Sequence, residues 1–287
     1  MYKSFRFAIY LQFVLICLFP GLASGQQAIS VSDHVLGDVP ACEVIYIRQG
    51  YALCYDNDKR VPIWAAYRVE LDFLNTPDRK KSPFGGYNQD PDNCFEPHED
   101  EYIGLLRSKG YVRGHIAPYA VFGGDRDGDG QYAADGDDYD INTVLQGNYM
   151  SNIAPQIHTG FNGSGGAWFK LERYVQETLV RDLGHSVWVI AGTIFEDDQP
   201  IEQVGTKNNI WVPTHYFKIV VAKDSTPSKP LILAFLFKNQ ADKGDIFEHL
   251  VSIDQIENLT GIDLFRGVLD KKIEATNTIE YKKNLSR

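Results

Sequence analysis

The chain is short of cysteine and of positive charge. Its 287 residues include 4 Cys, and 28 Lys plus Arg stand against 38 Asp plus Glu, a formal net charge of −10. That balance excludes a protein that grips nucleic acid by bulk charge, because phosphate binding of that kind rests on a cationic surface. Internal repeats, heptads and a Pro/Ser-rich linker are also missing, which excludes solenoid, coiled-coil and tethered-module architectures. A 44% hydrophobic fraction is ordinary for a globular chain of one large domain or two smaller ones, so a sizeable core can be built.

The one long apolar run lies at the N-terminus. Lys3 and Arg6 precede Phe7–Pro20, and Ala23-Ser24-Gly25 supplies small residues for cleavage before Gln26. Residues 1–25 therefore read as a secretory signal peptide. The expectation is a protein that is secreted, or periplasmic in a bacterium, with no membrane attachment after cleavage, since no second run approaches the ~20 residues of a membrane span. The mature chain would have 262 residues, with 26 basic and 38 acidic side chains, a charge of −12. Cys17 would leave with the leader, and Cys42, Cys54 and Cys94 would remain. Cys42 with Cys54 is the expected disulfide, because "CEVIYIRQGYALCYD" reads as two short strands joined by a Gly turn. Without CxxC spacing the three give no zinc site.

β-like runs rich in Val, Ile, Trp, Tyr and Phe occur at Val61–Glu70, Ser186–Phe195, Ile210–Val221 and Leu231–Phe237. Trp168, Leu171, Val175, Thr178 and Leu179 follow helical spacing up to Gly184. A second helix is predicted in "SIDQIENLTG", with Ser252 as N-cap, Gln255 at the capping-box position and Gly261 as its stop. Strands and helices without regular alternation predict an α+β fold. The expected organisation is an N-terminal extension over residues 26–59 followed by one domain over 60–287.

Two segments could carry chemistry. "GYVRGHIAPYAVF" holds Arg113, Gly114 and His115, where the Gly would let the backbone turn both side chains into one pocket. "QGNYMSNIAPQIHTGFNGSGGAWFKLERY" offers Asn148, Asn152, Asn162 and Glu172, a concentration of amide and carboxylate oxygens suited to a hard cation. Tyr67, His158 and His215 read as structural.

"RGHIAP", "NYMSNIAPQ" and "FNGSGGAWFKLE", in that order, resemble the DNA/RNA non-specific endonuclease family, the ββα-metal or His-Me finger nucleases. "VPIWAAYRVE", "VWVIAGTIF", "WVPTHYFKIVV" and "VSIDQIENLTGIDLF" look like the family's flanking strands and closing helix, so the likeness covers roughly residues 60 to 268. The resemblance implies a mixed, largely antiparallel central sheet with flanking helices and a ββα-metal motif on one face. It implies hydrolysis of DNA and RNA phosphodiesters with little sequence preference, leaving 5′-phosphate ends. By the same resemblance His115 is the general base, Asn162 the direct ligand of one Mg²⁺ (Mn²⁺ as possible substitute), and Glu172 a carboxylate holding that ion's waters. Arg113 and Asn152 match positions that shape the site or contact phosphate, with Asn148 a weaker match. An upstream phosphate clamp would come from Arg79, Lys80 or Lys81, with Arg79 preferred for its bidentate guanidinium.

The chain departs from the family pattern in three places. Val112 stands where an Asp precedes Arg-Gly-His. Ten residues separate Asn162 from Glu172 instead of eight, which on a continuous helix would rotate one from the other by about 200°, so Gly163-Ser164-Gly165-Gly166 is expected to loop out. Asn162-Gly163-Ser164 is also a glycosylation sequon, as are Asn258-Leu259-Thr260 and Asn284-Leu285-Ser286. Finally, Asp125–Asp140 holds seven Asp and one Arg in sixteen residues. Asp125, Asp127 and Asp129 followed by Gly130 match the start of a calcium loop, which Asp135 or Asp137 would have to close. Those features support an alternative, a catalytically silent member acting as a calcium-dependent secreted binding module.

Overall fold

A computed structural model describes residues 29–196, 201–207, 209–223 and 230–267. The expected leader and the sequon at Asn284 lie outside the described residues. Seven strands make the central sheet: β1 (Ile45–Ile47), β2 (Tyr51–Asp56), β3 (Val61–Val69), β6 (Ser186–Ile194), β9 (His215–Lys223), β10 (Leu231–Lys238) and β11 (Leu250–Val251), in that spatial order. Every pairing within it is antiparallel. Two separate pairs, β4 (Tyr111–His115) with β5 (Ile153–Ile157) and β7 (Gln203–Val204) with β8 (Ile210–Trp211), are also antiparallel. The helices are α1 (Leu105–Lys109), α2 (Asp138–Gly147), α3 (Ala167–Arg173, running on as a π-helix to Asp182) and α4 (Ile253–Thr260). This is the expected α+β class.

The strands read as continuous apolar runs because both faces of the sheet are covered. Along β3, Ala65, Tyr67 and Val69 enter one core with Ile153 of β5 and Trp168 and Leu171 of α3. Trp64 and Ala66 enter the other with Ile253 and Ile256 of α4. Alternation therefore exchanges one apolar environment for another and leaves no polar beat in the sequence. The β4–β5 pair and α3 share one face of the sheet, and α4 closes the other.

Three expectations change. Residues 45–56 are not outside the domain, since β1 and β2 are strands of its sheet. The run Ile210–Val221 splits into β8 and β9 around Pro213, which has no N–H for a ladder. Helix α2 arises inside the Asp-rich stretch, where Asp137 accepts a hydrogen bond from the Asp140 amide at 2.8 Å and caps it. Tyr67 and the short β1–β2 hairpin fall as read, and Cys42 and Cys54 are bonded with Cα atoms 5.8 Å apart. Cys94 is exposed and forms no disulfide among the described residues. Ser252 accepts from the Gln255 amide at 3.1 Å and Gly261 takes φ +70° after α4, the caps the sequence predicts.

Candidate active site

β4 and β5 bring the motif residues together. His115 pairs with Ile153 and Arg113 with Pro155, so the two polar residues, two apart on one strand, project to the same side. Gly114 does not turn the chain, contrary to the sequence reading. A Cβ there would lie 2.1 Å from Gln156 Oε1 and 2.4 Å from its Cγ, so the missing side chain makes room for Gln156. Buried Gln156 accepts a hydrogen bond from Asn162 Nδ2 at 2.5 Å. With its amide nitrogen committed, Asn162 has Oδ1 left to offer a cation.

The orientation of His115 follows from its neighbours. Asn148 Nδ2 donates to the Phe84 carbonyl at 3.2 Å, which fixes the amide so that its Oδ1 accepts from Arg79 Nη2 at 2.9 Å and meets His115 Nε2 at 3.2 Å. Facing an acceptor, Nε2 must carry the proton, and in the neutral ring Nδ1 is then the basic atom. Burial, with the guanidiniums of Arg79 and Arg113 adding to it, holds the His115 pKa down to about 3. The imidazole is therefore neutral at physiological pH.

Tyr87 was not visible as a site residue in the sequence. Its ring lies 4.3 Å from the Arg113 guanidinium, 5.1 Å from that of Arg79 and 5.6 Å from the His115 ring. Arg79 also packs 4.8 Å from the ring of Tyr119. Stacking on aromatic faces holds both cations without neutralising them. Arg79, Arg113, His115 and Asn162 line one cleft, which Lys80 and Lys81 do not reach. His158 lines it too; His215 is buried elsewhere, against Thr214 at 3.1 Å.

Asn152, Glu172 and the acidic stretch make contacts that the sequence does not announce. Asn152 is fully buried, taking the Ala117 amide at 2.9 Å and donating to the carbonyls of Ala117 at 2.8 Å and Gly147 at 3.0 Å, so it has no donor left for phosphate. It ties the turn that follows His115. Glu172 does not line the cleft; it accepts from Lys218 Nζ at 3.3 Å. Lys218 is fully buried with its ammonium 3.9 Å from the Trp168 ring, and burial lowers its pKa while Glu172 opposes that shift. In the acidic stretch, one oxygen from each of Asp125, Asp127 and Asp129 lies within 4.8 Å of the others, but Asp135 and Asp137 do not join them. Asp137 is occupied as the α2 cap. The spacing departure resolves as expected: Gly163–Gly166 stays outside the helix, with Gly165 at φ +79°, and α3 starts at Ala167.

Residues 38–271 match the model of the DNA/RNA non-specific endonuclease family. The chain belongs to that family. It is 27% identical to a nuclease of Serratia marcescens over 260 residues, covering 88% of this chain and 87% of the relative. It is 30% identical to the human mitochondrial nuclease EXOG over 229 residues, covering 75% of this chain but 55% of that protein. The chain thus spans about half the length of its mammalian relatives. The fold is similar to that of a chain in the EndoG/EndoGI complex, with TM-score 0.64 and 24% identity, covering 83% of this chain and 94% of that one. Within the matched range, Arg79, Arg113, His115 and Asn162 line the one cleft, and Glu172 is tied into an ion pair with Lys218.

Proposed function

We propose that the protein is an exported endonuclease that hydrolyses phosphodiester bonds of DNA and RNA with little sequence preference, leaving 5′-phosphate ends. The observation that carries this reading is the neutral His115, its Nε2 engaged by Asn148, in one cleft with two guanidiniums and Asn162. His115 Nδ1 takes a proton from water as its oxygen bonds to phosphorus, and the bond from phosphorus to the 3′ oxygen breaks. Arg79 and Arg113 hold the phosphate oxygens. Arg113 must first leave Glu99, 3.1 Å away across an exposed ion pair that contributes little.

The donor set fits a divalent cation. Asn162 Oδ1 is a hard oxygen ligand, and Mg²⁺ is content with few protein ligands because it keeps its waters. When bound, that ion, or Mn²⁺ in its place, would stabilise charge developing on the phosphate and the departing oxygen. Export is supported by the leader-like N-terminal sequence and by the Cys42–Cys54 bond, which belongs to an oxidising compartment. Protein recovered from the medium of an expressing culture should begin at Gln26 and cut plasmid DNA and RNA only with Mg²⁺, and Asn162→Ala should require much higher Mg²⁺ for the same rate. An unchanged Mg²⁺ requirement would move the ligand elsewhere; loss of no activity in EDTA would end the metal reading.

A structural Ca²⁺ at Asp125, Asp127 and Asp129 belongs to the same proposal, supported by their convergence. Burial, then the neighbouring carboxylates of Asp129, Asp137 and Asp125, push the Asp127 pKa up, and a cation would relieve that repulsion. Millimolar Ca²⁺ should raise the melting temperature of the wild type and not that of an Asp127→Ala, Asp129→Ala variant, since binding to the folded state alone adds ~2.7 kcal/mol at a hundred times the dissociation constant. Equal shifts in both proteins would reduce the loop to a solvated acidic segment.

A further inference from the structure

The cleft that holds His115 is bordered by a feature its chemistry does not use. Ile103 and Leu106 line it and are 76% and 51% exposed, Ile103 more than any other large apolar side chain among the described residues. Gly104 stands between them at φ +82°, with nothing within 4 Å of where a Cβ would be, so the turn projects into open space. Helix α1 follows at once and carries Arg107, exposed and without an ion pair among the described residues. Two aliphatic side chains at a polar cleft mouth gain nothing from water, and Arg107 beside them has its guanidinium available to an anion.

We propose that Ile103 and Leu106 form a ridge that contacts unpaired bases beside the scissile phosphate, with Arg107 on an adjoining phosphate. The proposal rests on the nuclease reading of the same cleft. Its occupant is a nucleic-acid strand because the ridge is continuous with Arg79 and Arg113, and a polyanion bearing apolar base faces complements both kinds of group. Aliphatic side chains serve elsewhere as wedges between base steps, and base faces are open to them only where stacking is interrupted.

The test compares kcat/KM on a single-stranded oligonucleotide with that on a strand of the same length built from abasic units, for the wild type and for Ile103→Ser, Leu106→Ser. Both replaced side chains are exposed, and the melting temperature checks that the fold is kept. The ratio of base-bearing to abasic cleavage should fall about tenfold in the variant, the order expected for the loss of one base contact. An unchanged ratio, with both strands cut by the wild type, overturns the ridge alone. A wild type that cuts neither strand overturns the nuclease reading and the ridge with it.

Discussion

Replacing His115 with Ala lowers turnover by about 10²–10⁴-fold, the usual loss when a positioned general base is removed. The magnitude follows from the arrangement of its ring. Asn148 holds Nε2, burial with the help of Arg79 and Arg113 keeps the imidazole neutral, and only Nδ1 remains to take a proton. Steady-state rates on plasmid at saturating Mg²⁺, with circular dichroism to confirm the fold, give the answer. A folded His115→Ala protein with near wild-type turnover would remove His115 from the chemistry, and with it the reading of the cleft.

A second large effect falls on stability. Glu172→Gln keeps the shape of the side chain but leaves the fully buried Lys218 ammonium without the one carboxylate it contacts among the described residues. Uncompensated buried charges of this kind cost about 3–5 kcal/mol, and for a domain of this size each kcal/mol lowers the melting temperature by roughly 2–4 °C. Adding Lys218→Met should recover most of the loss, because removing both charges leaves no unpaired ion. Denaturant midpoints of the two variants decide the matter. If Glu172→Gln keeps the wild-type midpoint but needs far more Mg²⁺, the carboxylate serves the cation's waters and the ion pair is incidental.

Much of the fold was legible because apolar strands and helix caps are local signals. Val61–Val69, Ser186–Ile194 and Leu231–Lys238 differ from their predicted bounds by a residue at most, and Ser252 caps the helix it was expected to cap. Helix α2 was hidden because its acidic first turn reads as loop when its cap and its burial are unknown. In the site, the motif residues were legible by resemblance, but their partners were not. Tyr87, Gln156 and Lys218 come from three distant elements, and no spacing in the sequence announces that a ring will collect two guanidiniums or that a lysine will be buried under Glu172. The contact of Glu172 with Lys218 was hidden for the same reason, since that partner is 46 residues away.

Gly114 sets a mechanical limit on the cleft. The volume it leaves is filled by Gln156, and Gln156 holds Asn162, so the strand bearing the proton acceptor is keyed to the group that would carry the cation. Any side chain added at position 114 would have to displace Gln156 and with it the hydrogen bond to Asn162, so neither side of the cleft can be altered without the other.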